Sequence, residues 1–208
     1  MAFEYYESAE YHDLLNSDQR PALISNEIYS KFIPGLENGE NILDFGCGIG
    51  HVSLLYANRF ENNQDSHIYA CDYQEDLLDI LWRRVSQRQV KNLTPFFMPM
   101  RSRQHFPKWL PSFRHIVMSL SLSNAIDPKE LLQSFIPIAG RGAEIHILEW
   151  DNQKNHPLLD QIVTVRRRLS MNDVVTYLNE AGFTISKEYP REKMYFAVSA
   201  RMTGTRLS

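Results

Sequence analysis

Cysteine and long apolar runs are scarce in this 208-residue chain. Its two cysteines, Cys47 and Cys71, cannot form a disulfide framework, and their spacing matches no zinc-binding signature. The N-terminus is acidic and aromatic, whereas a secretory signal peptide begins with basic residues followed by an apolar run. No stretch approaches the ~18 consecutive apolar residues that suggest a membrane span. These absences exclude the disulfide-rich secreted and membrane classes, and they predict one globular domain in the cytoplasm.

Acidic residues are absent from residues 80–126, which contain eight lysines and arginines. Residues 1–79 have the opposite balance, with 3 basic and 15 acidic residues. A basic region of this kind is typical of a surface that binds nucleic acid or an anionic substrate. The eight residues do not form a polybasic tract, however. Solvent-exposed positions attracted to the acidic N-terminal part are the simpler interpretation.

Short apolar segments alternate with amphipathic helical patterns up to about residue 150. The segments predict five strands, at residues 41–45, 67–71, 95–98, 113–120 and 143–149. Between them, apolar residues at i, i+3 and i+4 predict helices, one of which starts at Asp127-Pro128 and is terminated by Gly140–Gly142. Strands that alternate with helices form a parallel sheet covered by helices on both faces.

The C-terminal residues follow another pattern. Ser170 and Asp173 are similar to a capping box, which predicts a helix that ends at Gly182. Two β-rich segments, 183–187 and 194–201, follow with only a few residues between them. So short a connection permits an antiparallel pair but no parallel crossover. The predicted fold is therefore α/β, a doubly wound and mostly parallel sheet of seven strands that ends in an antiparallel β-hairpin.

A glycine-rich loop follows the first predicted strand, with glycines at 46, 48 and 50. Ligands of open α/β sheets bind outside the carboxyl ends of the strands, where this loop lies. A dinucleotide fingerprint requires G-x-G-x-x-G, and His51 occupies its final glycine position. Asp44, just before the loop, would repel a pyrophosphate but suits a ligand that carries an ammonium or a sulfonium group. The loop therefore favours a cationic ligand over a dinucleotide.

A second carboxylate, Asp72, ends the second predicted strand. An acid at this place can accept hydrogen bonds from both hydroxyls of a ribose. Tyr73 follows it and offers a flat face to an adenine ring. The alternative is that Asp72 caps the next helix, which starts near Gln74, while Tyr73 packs in the core.

These motifs resemble those of a known family. Residues 41–50 are similar to the first motif of the class I S-adenosylmethionine-dependent methyltransferases, and residues 69–73 to their second. Residues 113–119 and 135–142 resemble the segments around the family's fourth and fifth strands. The resemblance implies a Rossmann-like fold, S-adenosylmethionine as cofactor and methyl transfer as activity. The nearest likeness is to the small-molecule branch that includes quinone-ring C-methyltransferases.

The resemblance also assigns roles by position. The glycine loop and Asp44 would hold the methionine end of the cofactor, Asp72 the ribose and Tyr73 the adenine. Where the family often has an acid that contacts adenine, this sequence has Met100 and Arg101, whose backbone groups would serve instead. The expected cofactor-binding set is Asp44, Gly46, Cys47, Gly48, Gly50, Asp72, Tyr73, Met100, Arg101 and Ser119, and no metal is expected.

Methyl transfer from a sulfonium is an in-line displacement that chiefly requires a well-positioned acceptor in a dry site. No catalytic triad is therefore expected, and the candidates for a general base are His51 and Tyr11. Residues 1–36 would form an N-terminal helical lid over a catalytic core of residues 37–208. The candidate substrate contacts are Tyr6, Tyr11, Ser121, Asn124 and Trp150.

Three functions are compatible with the sequence. The first is methyl transfer to a small molecule, with no nucleic acid or membrane as partner. The second is an RNA or protein methyltransferase that docks its substrate on the basic residues 80–126. The third is a catalytically idle protein that binds S-adenosylmethionine. The identity of the acceptor and the oligomeric state are left open.

Overall fold

A computed structural model describes residues 26–32, 35–63, 65–153, 168–189 and 194–203. Buried apolar segments form the strands β1 (Asn41–Phe45), β2 (His67–Asp72), β3 (Leu93–Phe97), β4 (Phe113–Ser119), β5 (Ala139–Trp150), β6 (Phe183–Glu188) and β7 (Tyr195–Met202). The helices are α1 (Asn26–Phe32), α2 (His51–Arg59), α3 (Glu75–Gln87), α4 (Pro128–Ser134) and α5 (Met171–Glu180). Two short 3₁₀ helices, Leu122–Asn124 and Ile136–Ile138, complete the described elements.

The seven strands form a single sheet in the order β3-β2-β1-β4-β5-β7-β6. Strands β1 to β5 pair in parallel, and β7 runs antiparallel to both β5 and β6. The predicted doubly wound sheet with its terminal antiparallel hairpin is confirmed. Strand order reverses between β1 and β4, and this is where α/β sheets of this type bind their ligands.

Alternate residues of the central strands point to two separate cores. Ile42 and Val117 face the cluster that includes α1, α2 and α3, whereas Leu43 and Ile116 face the cluster that includes α4 and α5. The central strands are buried on both faces, as parallel strands between two helical layers require. The sheet is therefore a rigid platform, and its carboxyl edge is set by packing on both sides.

The start of β5 differs from the prediction. Helix α4 ends at Ser134, and β5 begins at Ala139 rather than after Gly142. Pro137 has no N–H to continue a helix, which limits the segment after α4 to one 3₁₀ turn. Gly142 adopts a φ of +67° inside β5, where the β4–β5 register shifts. The glycines therefore form an irregular strand entry instead of a helix end.

Helices α5 and α1 are each fixed in the fold by specific contacts. Ser170 and Asp173 form the predicted capping box at the start of α5, with both hydrogen bonds present. Helix α1 is part of the core, since Tyr29 is 2% and Phe32 is 1% exposed. The rest of the predicted lid, residues 1–25 and 33–34, lies outside the described residues. Among the described helices, none has the length and apolarity needed to cross a membrane.

Candidate functional site

An open cavity with about 960 Å³ of empty space lies at the carboxyl edge of β1, β2 and β4. Its walls come from the glycine loop, the start of α2, the segment after β2 and the loop after β4. The predicted site residues that line it are Asp44, Gly46, Cys47, Gly48, His51, Asp72, Tyr73, Met100, Ser119, Ser121 and Asn124. Most of the residues singled out in the sequence thus meet around one cavity.

The glycine loop turns tightly because two of its glycines have no room for a side chain. Gly46 and Gly50 adopt φ values of +73° and +83°, which disfavour any residue with a Cβ. A Cβ on Gly46 would overlap the side chain of Ser121, and one on Gly50 would overlap Leu81 of α3. The Gly46 N–H donates to the carbonyl of Cys71 at 2.8 Å. The loop is thus held against both β2 and the loop after β4.

Asp72 organises the second wall of the cavity. Its Oδ2 accepts the Gly48 N–H at 2.8 Å and its Oδ1 accepts the Gln74 N–H at 3.0 Å. The second bond is a local turn contact just before α3, whose N-cap is Gln74, so Asp72 does not cap this helix as the alternative interpretation of the sequence expects. The carboxylate nevertheless lines the cavity. Carboxylate oxygens have two acceptor sites each, so both remain able to accept a ligand hydroxyl.

Asp44 is buried at the inner wall of the cavity. Its Oδ2 accepts the hydroxyl of Ser53 at 2.5 Å, while its Oδ1 has no hydrogen-bond partner among the described residues. Burial raises the pKa of Asp44 to about 7, and the neighbouring Asp72 adds to this effect. An unpaired buried carboxylate is unfavourable unless a cation compensates it. The arrangement therefore fits a ligand with a positive charge.

The loop after β4 forms the opposite wall. Leu120 adopts a φ of +59°, an uncommon conformation for a residue with a branched side chain. Ser121 donates its hydroxyl to the carbonyl of Phe45 at 2.8 Å. Glu149, at the end of β5, accepts the N–H groups of Leu122 and Ser123 at 2.6 and 3.2 Å. These bonds fix an otherwise irregular loop and so fix the shape of the wall.

Several predicted site residues lie elsewhere. Gly50 is the N-cap of α2, and Arg101 is exposed; neither lines the cavity in the described part of the chain. Trp150 is fully buried and packs in the core with α1 to α3, because the alternation along β5 turns it to that face. Tyr6 and Tyr11 lie outside the described residues.

Sequence reasoning missed three cavity-lining residues of note: Tyr29, Met98 and Leu120. The Tyr29 hydroxyl lies 3.0 Å from the Ser119 Oγ, so α1 reaches the cavity wall through this pair. In the sequence Tyr29 was one apolar position of a helical pattern, which predicts a core residue only. No local signal distinguishes a buried tyrosine that also borders a cavity.

The two thiols beside the site are not poised as nucleophiles. Cys47 and Cys71 are buried, and burial raises the pKa of each well above its usual value. The nearby carboxylates of Asp72 and Asp44 raise both pKa values further. Because the thiolate is the reactive form, both side chains act as packing groups.

Fold and site together define a class of protein. A Rossmann-like sheet carries a carboxylate at the end of β2, a buried carboxyl near the end of β1 with one oxygen that lacks a hydrogen-bond partner among the described residues, and a glycine loop between them. S-Adenosylmethionine contains a ribose and two cationic groups, so the residues present fit this cofactor. Asp44 and Asp72 would hold it, and it would supply an electrophilic methyl group.

Comparison with known proteins agrees with this class. A family model described as "Methyltransferase domain" matches residues 42–139. This span contains the glycine loop, both carboxylates and the loop after β4. Over these residues the chain is similar to methyltransferase domains, the class to which the fold and the site point. This similarity supports an enzyme with S-adenosylmethionine as its cofactor.

Solved structures share the whole fold. A methyltransferase from Aquifex aeolicus, described as S-adenosylmethionine-dependent, is 20% identical, with a TM-score of 0.75 over 95% of this chain and 100% of that chain. An N-methyltransferase from Haemonchus contortus, in complex with phosphomonomethylethanolamine and S-adenosylhomocysteine, is 12% identical, with a TM-score of 0.64 over 86% of this chain and 52% of that chain.

One curated relative has a macromolecular substrate in its name. It is the 23S rRNA (uracil(1939)-C(5))-methyltransferase RlmD of Shewanella denitrificans, 22% identical over 102 residues. The match covers 49% of this chain and 22% of that protein. The chain therefore matches about a fifth of the length of this relative.

Proposed function

We propose that the protein transfers the methyl group of S-adenosylmethionine to a small-molecule acceptor. The observation that carries this proposal is that one cavity is lined both by Asp44 and Asp72 and by Ser119, Leu120 and Asn124 of the loop after β4. We assign the side near the two carboxyl groups to the cofactor and the side near the loop after β4 to the acceptor. A cofactor held at the first end would present its methyl group to a ligand at the second.

The cofactor would be held by charge at one end and by stacking at the other. Asp72 would accept the ribose hydroxyls, and the free Oδ1 of Asp44 would face the ammonium group. Tyr73, whose hydroxyl accepts from Gln74 at 2.9 Å, would pack on the adenine ring. Met98 and Met100 line the part of the cavity that follows β3, where an acid is absent. Adenine would therefore meet apolar side chains and backbone groups there.

The acceptor end is apolar with a few polar atoms. Leu120 and the ring of Tyr29 supply apolar surface, and Ser119 and Asn124 supply a hydroxyl and an amide. A flat ring that carries a hydroxyl, such as a phenol or a quinol, matches this chemistry. In-line transfer then depends on alignment, and His51 at the cavity wall is the candidate acceptor for any proton that leaves.

Residues 1–25 remain the predicted lid of this acceptor site. They lead into helix α1, which three hydrogen bonds hold against the rest of the fold. The Tyr29 hydroxyl meets Ser119, the Tyr56 hydroxyl donates to the Tyr29 carbonyl at 2.9 Å, and Arg59 donates to the Ser30 carbonyl at 2.7 Å. A segment that leads into α1 would begin beside the acceptor end of the cavity.

Calorimetric titration with S-adenosylmethionine and S-adenosylhomocysteine tests the cofactor part of the proposal. We expect micromolar binding to the wild type and at least a 100-fold loss in Asp72→Ala, because two hydrogen bonds to a charged acceptor disappear. Asp76→Ala removes an exposed carboxylate of the same helix region and should leave affinity unchanged. Equal affinity of wild type and Asp72→Ala would contradict the ribose assignment.

Transfer of a labelled methyl group to a panel of phenols, quinols and amines tests the acceptor. We expect turnover with at least one ring acceptor, and a lower kcat/KM in Leu120→Ala than in the wild type. Binding of cofactor without transfer to any small acceptor, combined with transfer to RNA, would overturn the small-molecule proposal.

A second candidate, RNA methylation, is supported by the surface of residues 80–126. All five large apolar side chains that are exposed among the described residues fall in this acid-free segment: Ile80, Trp82, Phe97, Trp109 and Ile126. Exposed aromatic rings beside lysines and arginines can stack on the bases of single-stranded nucleic acid. The rRNA-methylating relative points in the same direction.

Binding of a labelled single-stranded RNA at several salt concentrations separates the two candidates. RNA as substrate predicts strong salt dependence and a smaller salt slope in a double variant, Arg103→Ala with Lys108→Ala. The control is Lys129→Ala with Lys187→Ala, which removes two lysines outside the segment. If RNA binds weakly and its affinity is the same for both double variants, RNA is excluded as the substrate.

A further inference from the structure

A polar cluster lies beneath α1, on the part of β4 and β5 away from the cavity. We propose that His115, Glu144 and His146 bind a divalent transition-metal ion, with zinc as the expected ion. Ligand atoms of the three side chains all lie within 4.8 Å of one another. His115 pairs with Glu144 in the parallel β4–β5 register, and His146 follows two residues later on the same face. The three side chains therefore stand on rigid neighbouring strands.

Hydrogen bonds fix which nitrogen of His146 is available. The Tyr189 hydroxyl donates to the carbonyl of Lys31 at 2.9 Å, so it can accept from Ser199 at 3.3 Å. Ser199 can then donate to Tyr189 and accept from His146 Nδ1, which lies 2.7 Å away. In this arrangement of protons His146 carries its proton on Nδ1 and has a lone pair on Nε2, and this is the tautomer that the proposed site requires.

The lone pair of His146 Nε2 points at His115 Nδ1, 3.0 Å away. Without an ion, one proton on His115 fills this gap as a hydrogen bond. In a tetrahedral site with zinc–nitrogen bonds of 2.0–2.1 Å, two imidazole nitrogens lie roughly 3.3 Å apart. To bind an ion through Nδ1, His115 carries its single ring proton on Nε2 instead. The two rings must then move apart by about 0.3 Å and turn so that both lone pairs meet the ion.

The carboxylate of Glu144 is oriented toward the same place by Arg201. Both Arg201 nitrogens donate to Oε1, at 2.8 and 3.2 Å, so Oε2 is the oxygen left for an ion. An outer partner for each ligand is typical of metal sites: Ser199 holds His146, and Arg201 holds Glu144. Two histidines and one glutamate form a set that zinc accepts, with water as the fourth ligand.

Positive charge around the three proposed ligands limits their affinity for a metal cation. Burial lowers the pKa of both His115 and His146, and the nearby charge of Arg114 lowers both further. Lys187 adds to the effect at His146, and Arg201 is paired with Glu144. The rings are thus neutral, as ligands must be, but one carboxylate offsets only part of the charge. We expect a dissociation constant in the micromolar range rather than the nanomolar range.

The ion would have a structural role. His115 lies four residues before Ser119 of the cavity wall, which is roughly 13 Å along a strand. Phe32 of α1 stacks on His146 with ring centroids 6.2 Å apart. A bound ion would cross-link β4 and β5 directly beneath this helix. The proposal does not depend on the identity of the methyl acceptor.

Titration of the metal-free, tag-free full chain with Zn²⁺ and with Co²⁺ tests the site. We expect one ion per chain, visible absorption of a tetrahedral or five-coordinate Co²⁺ complex, and displacement of Co²⁺ by Zn²⁺. Zn²⁺ at 100 times its dissociation constant should raise the Tm by roughly 5–10 °C. A wild-type protein that gives neither the Co²⁺ absorption nor a Tm shift overturns the proposal.

Variants locate the ion. Glu144→Gln changes a partly exposed side chain and should weaken Zn²⁺ binding at least tenfold, and His115→Asn should abolish the Co²⁺ absorption. His105→Gln, which removes an exposed histidine elsewhere, serves as the matched control. Circular dichroism and S-adenosylhomocysteine binding confirm that each variant is folded. Loss of the Co²⁺ absorption in His105→Gln, or its persistence in both other variants, would place the ion elsewhere and overturn the assignment.

Discussion

Asp44 near the end of β1 and Glu149 near the end of β5 are two buried carboxyl groups that differ in what they face. Each is at most 1% exposed, and burial raises the pKa of each to about 7. Each has one oxygen without a hydrogen-bond partner among the described residues. Asp44 lines the cavity, whereas Glu149 lies behind the loop after β4 and accepts two of its N–H groups.

The comparison shows that similar burial serves two purposes at one edge of the sheet. A buried carboxyl that faces a cavity can be compensated by a ligand cation, so its cost is recovered on binding. A buried carboxyl that faces backbone N–H groups is compensated within the fold, and it holds a loop in place. Under the proposed function, the β1–β2 region would bind the cofactor, and the β4–β5 region would shape the space beside it.

We expect the largest loss of ligand affinity and stability from a substitution at Gly46, where the glycine loop contacts the loop after β4. Gly46→Ala would place a Cβ against Ser121 and force a side chain onto a φ of +73°, which pushes the glycine loop away from the loop after β4. We expect at least a 100-fold loss of S-adenosylhomocysteine affinity and a Tm lower by several degrees, measured by calorimetry.

Gly48→Ala is the matched control for this variant. Gly48 also has a positive φ, +52°, but a Cβ there would meet nothing within 4 Å. The control carries the backbone strain without the collision with Ser121, so its loss of Tm should be clearly smaller. Because Gly48 lines the cavity, the two variants are compared by Tm and not by ligand affinity. If both variants lower the Tm equally, strain alone explains the effect and the contact between the two regions has no special role.

The sequence predicted the β1–β2 region far better than the β4–β5 region, for a physical reason. The glycine loop and Asp72 form motifs in which local spacing nearly determines the geometry. Glu149 gives no such signal: Asp44-Phe45 and Glu149-Trp150 are similar acid–aromatic pairs at strand ends. Which of them meets the cavity depends on side-chain direction and on the loop beside it.

The same limit applies to the rest of the fold. The number of strands, the parallel sheet and the hairpin followed from apolar periodicity and connection length. The contacts of Tyr29 with Ser119 and of His115 with His146 join residues that are 90 and 31 positions apart. Such contacts depend on strand order and register, which are set by packing rather than by any local pattern.

The next effect concerns Glu149 and the stability of the ligand-free protein. Its pKa is raised in the folded state, so its stabilising contribution is complete below the unfolded pKa of about 4.5 and is lost as pH rises through about 7. We expect ionisation of Glu149 to lower the free energy of unfolding by about 2 kcal/mol between pH 5 and pH 7. Glu149→Gln imitates the protonated form and should remove this slope.

Denaturant unfolding of wild type and Glu149→Gln at pH 5 and pH 7 measures the difference directly. The two proteins should be about equally stable at pH 5, with the variant more stable at pH 7. The difference between them cancels the contributions of Asp44, which has the same sign, and of the histidines with lowered pKa, which have the opposite sign. A variant that is equally destabilised at both pH values would show that Glu149 does not titrate in this range.

The smallest expected effect is on the pH dependence of ligand affinity, and it distinguishes Asp44 from Glu149. If the ammonium group of the ligand pairs with Asp44, binding favours the ionised carboxylate and lowers its pKa from about 7. S-Adenosylhomocysteine should then bind about tenfold more weakly at pH 6 than at pH 8, and its binding at pH 7 should release about half a proton per ligand on average. Titrations in buffers of different ionisation enthalpy measure this proton release.

Asp44→Asn should bind weakly at every pH with no proton release. Glu149→Gln should keep the wild-type pH profile, because the carboxyl group of Glu149 does not meet the ligand. A pH profile that flattens in Glu149→Gln instead would reverse the roles assigned to the two groups.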